Sequence, residues 1–176
     1  MNASNDYKVA VLGSVGEREL DGLCNELIDC VEGGDSIGFM WPMTRAKAEA
    51  FWRAAIASAN QDERVILIAE DVDGSIVGTV SVIWAQPENQ PHREDIAKMQ
   101  VHRRARRRGI GARLLEAAER VASEAGKTLL VLDTASTDAE RLYARGNWQR
   151  CGVIPDYALM PDGALCQTIV FYKALK

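Results

Sequence analysis

The amino-acid sequence predicts an α+β fold, and three patterns along the chain lead to that prediction. Apolar residues recur at helical spacing between Glu17 and Val31. The dipeptide Asp73-Gly74 separates two apolar runs, which is the strongest short-range signal of a β-hairpin. A helical pattern that starts at Ile110 is followed by the apolar run 128–132, as expected for a helix that leads into a strand. Helices and hairpin-connected strands therefore occur together.

The predicted order is two early helices, a three-stranded meander, a strand–helix–strand–helix stretch and a closing pair of strands. Local signals place several ends: Gly33-Gly34 stops the first helix, Thr44 is a candidate N-cap of the second, and Gly126 ends the third. We expect the run 128–132 to be a strand buried on both faces. The expected strands are 7–13, 64–71, 76–85, 95–101, 128–132, 148–157 and 166–175, and the expected helices are 17–31, 46–59, 110–126 and 138–145.

Length and composition exclude several classes of protein. The chain has 176 residues, of which 47% are hydrophobic and 26% charged, so we expect one globular domain over residues 1–176. No apolar run reaches the roughly 18 residues of a membrane span, and residues 1–6 lack the features of a signal peptide. Four cysteines without Cys-x-x-Cys spacing and two histidines do not form a zinc pattern. We therefore expect reduced thiols, no metal, no membrane association and a cytoplasmic location.

The charge of the chain is concentrated in one short segment. The formal net charge is −4, yet five arginines fall within residues 103–108, and the remainder of the chain carries −9. A dense basic segment in an acidic protein indicates either an anionic ligand or a solvated loop.

The arginines lead into the pattern Arg106-x-x-Gly109-x-Gly111, between a predicted strand and a helix. The unpaired amides at a helix N-terminus favour phosphate, and glycines let the backbone approach it. A dinucleotide fingerprint would need glycine at Leu114, and a triphosphate-binding loop would need Gly-Lys-Ser/Thr. A nucleic-acid-binding arm remains an alternative, although no aromatic residues alternate with the arginines.

Arg106-x-x-Gly109-x-Gly111 in this context resembles the acyl-CoA-binding motif of the Gcn5-related N-acetyltransferases (the GNAT family), and the element order agrees with that family along essentially the whole chain. The resemblance implies a mixed central sheet of about seven strands, with the two early helices and the motif helix packed on it. It also implies acetyl-CoA as cosubstrate. Asn147-Trp148 departs from the family's usual Gly-Phe or Gly-Trp, but Asn tolerates a left-handed backbone. The implied cofactor-binding residues are Met99 and Val101, through their main chains, and Arg106, Arg107, Arg108, Gly109, Ile110, Gly111 and Ala112.

Acetyl transfer to an amine needs a base, because a primary amine is mostly protonated at pH 7. Asp133 ends a predicted strand and Asp95 begins another, and the family places these strands side by side. Two carboxylates facing one cleft would raise one pKa. Glu94, expected on the opposite sheet face, is the fallback base. The resemblance makes Tyr143 the candidate acid for the departing thiolate.

The family places a loop that covers the substrate between the first two helices, and Phe39 and Trp41 are the candidate substrate-binding residues there. The segments 33–40, 131–134 and 155–163 also resemble those of a small-molecule acetyltransferase in the family. We therefore expect acetyl transfer to an amine of a small polar molecule, more narrowly an amino-acid-like, antibiotic or toxin acceptor. The alternatives are a protein Lys or N-terminal acetyltransferase, a nucleic-acid-binding module that uses residues 103–108, and a CoA sensor without turnover. No nucleic-acid partner is expected under the main hypothesis. The sequence does not fix the oligomeric state, and the family resemblance is compatible with a homodimer.

Overall fold

The computed structural model describes residues 6–175, and the predicted element order is confirmed. The expectation of a chain start without a signal peptide rests largely on residues 1–5, which lie outside the described part. In chain order the strands are β1 (Tyr7–Val11), β2 (Arg64–Asp71), β3 (Ile76–Ile83), β4 (Arg93–Val101), β5 (Leu129–Thr134), β6 (Gln149–Leu159) and β7 (Leu165–Ala174). The helices are α1 (Glu17–Glu32), α2 (Arg45–Ala59), α3 (Ile110–Glu124) and α4 (Thr137–Arg145), with a 3₁₀ turn at Arg103–Ala105.

The helices begin and end close to the residues that the sequence predicts. Thr44 accepts a hydrogen bond from the Lys47 amide at 3.3 Å and caps α2. Ser136 caps α4 in the same way. Gly33 ends α1 and is followed by Gly34 at φ 91°. Asn147 adopts φ 61°, which is the left-handed conformation expected of an Asn that replaces the family's usual Gly at this position.

The seven strands form one mixed sheet in the order β1-β2-β3-β4-β5-β7-β6. All neighbours are antiparallel except β4 and β5, which run parallel. β3 carries irregularities in its pairing with both β2 and β4. The mixed seven-stranded sheet with helices packed on it is therefore the α+β GNAT fold that the sequence predicts.

The sheet separates two hydrophobic cores. α3 packs on one face, where Leu114, Leu130 and Phe171 belong to the same buried cluster. α1 and α2 cover the other face around Leu27, Trp52 and other buried residues. Gly78 brings α3 close to the sheet, because a Cβ there would lie 3.0 Å from the Leu114 side chain.

β5 corrects one expectation. The prediction that this strand is buried on both faces is wrong, because Leu130 and Leu132 are buried while Leu129 and Val131 are only partly covered. The face of β5 that carries Leu129 and Val131 is therefore less covered than the face that carries Leu130 and Leu132. No helix in residues 6–175 has the length and apolar character needed to cross a membrane.

Candidate active site

β4 and β5 separate partway along their length. They pair only at Arg93–Leu129, Glu94–Leu130 and Asp95–Val131, whereas β5 continues beside β7 as far as Thr134. Beyond Asp95, β4 bulges: its register against β3 shifts, and Lys98 adopts φ 52°. The two parallel strands therefore enclose an opening, which we call the β4–β5 gap, lined by residues 96–101 and 132–134.

The main chains of Met99 and Val101 face this gap. Arg106 Nε donates to the Val101 carbonyl at 3.0 Å, on the side away from β3. The next residue, His102, donates its amide to the Val77 carbonyl of β3 at 2.9 Å. Because strand residues alternate the side to which their backbone groups point, Met99 faces the same way as Val101. The two predicted positions therefore offer backbone groups to a ligand in the gap.

The loop that follows β4 turns into the start of α3 through two left-handed residues, Arg107 at φ 64° and Gly109 at φ 81°. No side chain caps α3. By contrast, the side chains of Thr44 and Ser136 cap α2 and α4. α1 resembles α3 in that no side chain caps its first amides, although Glu19 accepts a hydrogen bond from the Gly16 amide. The first amides of α3 therefore lack partners within residues 6–175, and free amides at a helix start suit an anion.

Most of the neighbouring arginines are already neutralised by the protein itself. Four of the five are within ion-pair distance of aspartates far away in sequence, and Arg107 is the one for which no ion pair is found within residues 6–175. The pairs are Arg103–Asp29 at 2.8 Å, Arg104–Asp73 at 4.0 Å, Arg106–Asp35 at 2.5 Å and Arg108–Asp71 at 2.8 Å. The hydrogen bond from Arg108 lowers the pKa of Asp71 to about 2, so this pair is charged at neutral pH.

The candidate bases differ in their surroundings. Asp133 lies at the end of β5, is exposed, and accepts a hydrogen bond from Thr168 Oγ1 at 2.7 Å. Asp95 is on the same sheet face but at the closed end of the gap, where Arg93 Nη1 lies 2.6 Å away and Gln86 also donates to it. Glu94 is fully buried and pairs with Lys127 at 2.6 Å, so it cannot reach a ligand in the gap.

Tyr143 projects from α4 into the core, where only 3% of it is exposed. Its ring packs against Trp148 and Phe171, with centroids 5.9 and 5.6 Å away. Burial raises the pKa of Tyr143, and the negative charge of Asp133 raises it further. The phenol is therefore protonated at neutral pH, and it lies near enough to Asp133 to feel that charge.

The loop between α1 and α2 lies on the sheet face that these two helices cover, opposite the face on which α3 packs. Trp41 donates its indole N–H to the Val31 carbonyl at 2.8 Å and its amide to the Pro161 carbonyl at 3.0 Å, yet it remains 47% exposed. Phe39 packs edge-to-face on Phe51 with centroids 5.2 Å apart. The two predicted substrate-binding residues thus belong to one loop that contacts α1, α2 and the Pro161 carbonyl.

Two further residues of this region were not predicted from the sequence. Lys98 lies in the bulge of β4, with its ammonium 5.1 Å from the centroid of the Phe39 ring. Burial lowers the pKa of Lys98, while the charge of Asp133 opposes that shift. Thr168, on β7, is buried and orients Asp133. Neither belongs to a motif, and only the strand register brings them to the gap.

No group of three or more His, Cys, Asp and Glu side chains in the described part of the chain is arranged to hold a metal ion. Surface depressions occur elsewhere, one lined by Val15, Arg53 and Ile56 and another by Tyr7 and Arg113. Neither depression is lined by a residue that the sequence predicts for catalysis, for the cofactor or for the substrate.

Comparison with known proteins identifies the family of this chain. A curated relative from Azospirillum brasilense, described as an uncharacterized N-acetyltransferase in the hisH–hisA intergenic region, is 27% identical over 134 residues, covering 75% of this chain and 77% of that protein. The solved structure of yncA from Salmonella typhimurium with its cofactor acetyl-CoA has a TM-score of 0.76 at 16% identity, covering 97% and 95% of the two chains. A ribosomal-protein-alanine N-acetyltransferase from Brucella melitensis has a TM-score of 0.76 at 23% identity, covering 96% and 99%. The model of the acetyltransferase (GNAT) family matches residues 21–152. The chain therefore belongs to the GNAT family of acetyltransferases.

Proposed function

We propose that this acetyltransferase moves the acetyl group of acetyl-CoA directly to an amine of a small polar molecule. The observation that carries the proposal is the β4–β5 gap, which has uncapped amides of α3 at one end and the carboxylate of Asp133 at its mouth. The names of the relatives support acetyl transfer from acetyl-CoA and leave the acceptor open: one is called an N-acetyltransferase, and yncA was solved with acetyl-CoA.

The residues of the gap fit the cosubstrate. We assign the pyrophosphate to backbone amides from Arg106 to Ala112, because the first amides of α3 have no partner within residues 6–175, whereas the Arg106 amide donates to the Arg103 carbonyl at 3.4 Å. Main-chain groups of Met99 and Val101 bind the amide-bearing arm. Arg107 is the arginine free to meet a further phosphate, whereas Arg106 and Arg108 shape the loop through their aspartates. Acetyl-CoA supplies the activated acetyl thioester.

Asp133 is the proposed general base. Its carboxylate takes a proton from the acceptor ammonium, directly or through one water, so that the amine lone pair can attack the thioester carbonyl. The hydroxyl of Thr168 fixes one carboxylate oxygen and leaves the other for the acceptor. Asp95 is held by Arg93 and Gln86, and we assign it an electrostatic and structural part.

Tyr143 is the proposed donor to the departing sulfur. Because its raised pKa keeps the phenol protonated, it can give a hydrogen bond to the developing thiolate, and it can supply a proton as the negative charge forms. Burial makes the phenol a weaker acid than free tyrosine, so hydrogen-bond donation is the larger part of its role.

Phe39 and Trp41 form the wall against which the acceptor lies. A small acceptor is supported by the two hydrogen bonds of Trp41, which hold their loop against α1 and the Pro161 carbonyl. The segments 33–40, 131–134 and 155–163 also resemble those of the tabtoxin resistance protein, which acetylates a β-lactam amino-acid toxin. That resemblance supports the class of reaction, and an antibiotic or toxin acceptor belongs to the panel of substrates to be tested.

We also infer a homodimer. β6 is an edge strand, and it exposes Ile154, Tyr157 and Leu159. An apolar edge of this length invites pairing with a second copy. Sedimentation of the wild-type chain and of an Ile154→Glu variant tests the pairing, which predicts that the variant is monomeric.

The experiment that tests the proposed function combines calorimetry with a thiol-release assay. We expect acetyl-CoA to bind, and CoA thiol to appear when small polar amines are added. Peptides with a free N-terminus or a lysine serve as the comparison acceptors, since a protein acetyltransferase would prefer them. Salt-sensitive binding to DNA or RNA without binding of acetyl-CoA would instead favour the nucleic-acid alternative, and binding without any turnover would favour a CoA sensor.

A further inference from the structure

Lys98 is a cation beside the acceptor side of the gap that the proposed mechanism does not use. It lies in the β4 bulge on the sheet face covered by α1 and α2, the face that also carries Asp133. Its ammonium donates to the Ile37 carbonyl of the loop between α1 and α2. It also lies 5.1 and 5.6 Å from the ring centroids of Phe39 and Phe51. One hydrogen bond is thus made, and two of its three N–H donors remain.

Among residues 6–175, the other partly buried lysines have anionic partners. Lys127 pairs with Glu94 at 2.6 Å, and Lys173 pairs with Glu119 at 2.6 Å. Within residues 6–175 no carboxylate oxygen comes within 4.0 Å of Lys98 Nζ, although Asp133 acts on it electrostatically. A partly buried ammonium without an anionic partner is costly, because aromatic faces and one carbonyl replace only part of its hydration.

Asp133 shows the complementary pattern. It receives the Thr168 hydroxyl but forms no ion pair with any residue of the described part. One sheet face therefore carries an unpaired cation and an unpaired anion near each other, beside Phe39. The geometry points to a zwitterionic acceptor, an amino acid whose carboxylate binds Lys98 while its ammonium meets Asp133. This inference rests on the proposed function and names the substrate class for the same site.

The placement separates this role from cofactor binding. The proposed phosphate cradle begins at Arg106, after β4 has ended, whereas Lys98 contacts the loop that forms the acceptor wall. Lys98 is therefore a specificity-determining residue for the acceptor. Its removal should change the choice between acceptors and leave the KM for acetyl-CoA within about twofold.

The test compares pairs of acceptors that differ only in the carboxylate: L-methionine, L-lysine and L-glutamate against their α-carboxamides. Wild-type protein should favour the acid in kcat/KM by about 10- to 100-fold, as expected for a charge-assisted hydrogen bond. In Lys98→Met the ratio should fall to about 1, and Lys98→Arg should retain part of it. Lys8→Met, an exposed lysine of β1, is the matched control and should keep the wild-type ratio.

A general loss of folding or of loop order in Lys98→Met would lower both members of a pair and cancel in the ratio. A wild-type ratio near 1, or an unchanged ratio in Lys98→Met, would overturn the inference. If no acceptor is acetylated, calorimetry measures the binding of the same acid and amide pairs to CoA-loaded protein. This measurement tests the inference independently of the proposed function. Lys98-dependent binding of the acids alone would support the inference although the proposed function has failed, and equal or absent binding of acids and amides would overturn it.

Discussion

Two charged regions of this protein differ in how far ion pairs within the chain neutralise their side chains. At the start of α3, four of five arginines are within ion-pair distance of aspartates of the same chain, and the open groups are backbone amides. On the acceptor side of the β4–β5 gap, Lys98 and Asp133 each lack an ion-pair partner within residues 6–175. The first region is dense in charge but compensated, whereas the second has few charges that remain available.

The difference indicates which groups meet ligands. A side chain already held in an ion pair gains little from a new anion, because the existing pair must be broken or shared. An uncapped helix start and an unpaired side chain have no such cost. We therefore expect the cofactor side to depend on backbone geometry and the acceptor side on individual side chains.

The largest effect should follow the loss of the acceptor-side carboxylate. Asp133→Asn should lower kcat by about 100- to 1,000-fold, the range of general-base catalysis, with little change in the affinity for acetyl-CoA. Asp95→Asn is the matched control and should lower kcat by less than about 10-fold, because Asp95 is held by Arg93. Steady-state kinetics measure both, and a larger effect at Asp95 would reverse the assignment of the base.

The next effect should come from the backbone of the cofactor side. Gly109 has φ 81°, a conformation that a β-branched residue adopts only with strain. Gly109→Val should weaken acetyl-CoA binding by roughly 10- to 100-fold in calorimetry. Gly126→Val imposes similar strain at φ 76° beyond the far end of α3 and should leave the affinity unchanged. Equal losses in both variants would mean that general destabilisation, and not the cradle, sets the affinity.

A smaller effect on catalysis is expected at Tyr143. Tyr143→Phe should lower kcat by about 10-fold and change the KM for acetyl-CoA by less than about twofold, because only the hydrogen bond to the departing sulfur is lost. The packing against Trp148 and Phe171 is kept in this variant. Unchanged turnover would remove Tyr143 from the mechanism.

The arginines should matter least for binding. Arg107→Ala should weaken acetyl-CoA binding by about threefold, and the loss should shrink at high salt, because this exposed side chain is the member of the run without an ion pair within residues 6–175. Arg104→Ala should have no measurable effect on that affinity, since Arg104 pairs with Asp73 and Ser75. A larger loss at Arg104 than at Arg107 would contradict the picture of a self-neutralised region.

The last prediction concerns Glu26, which lies near Arg106, and the pH dependence of the free energy of unfolding. It is fully buried in α1, and burial raises its pKa to about 8, so it does not help to neutralise the arginines at pH 7. Between about pH 4.5 and 8 the folded state keeps a proton that the unfolded state has released, and stability therefore falls as the pH rises. Glu26→Gln should flatten this slope by up to about 1.4 kcal/mol per pH unit in denaturant titrations. An equal slope in both proteins would mean that Glu26 is ionised in the folded state.

Much of the fold could be predicted from the sequence because its signals are local. The Asp73-Gly74 turn, the Thr44 cap and the amphipathic patterns of α1 and α3 act within a few residues, and the structure has them as predicted. The motif from Arg106 to Gly111 is also contiguous. The sequence alone therefore predicts a helix start with free amides at this point of the chain.

The electrostatics of the site could not be predicted in this way. Asp29, Asp35 and Asp71 lie 37 to 74 residues from the arginines that they bind, and nothing in their local sequence marks them as partners. Lys98 is a single lysine in a strand, and its importance depends on a bulge and on aromatic residues from another element. Strand register and loop docking decide these contacts.

The proposed binding of acetyl-CoA in the β4–β5 gap and at the start of α3 can be tested residue by residue. The measurement is ¹⁵N NMR of the backbone amides during a titration with acetyl-CoA. We expect the largest chemical-shift changes at Met99, Val101 and residues 107–112. Changes centred instead on the depression around Val15, Arg53 and Ile56, or the absence of saturable changes, would contradict this assignment of the cofactor site.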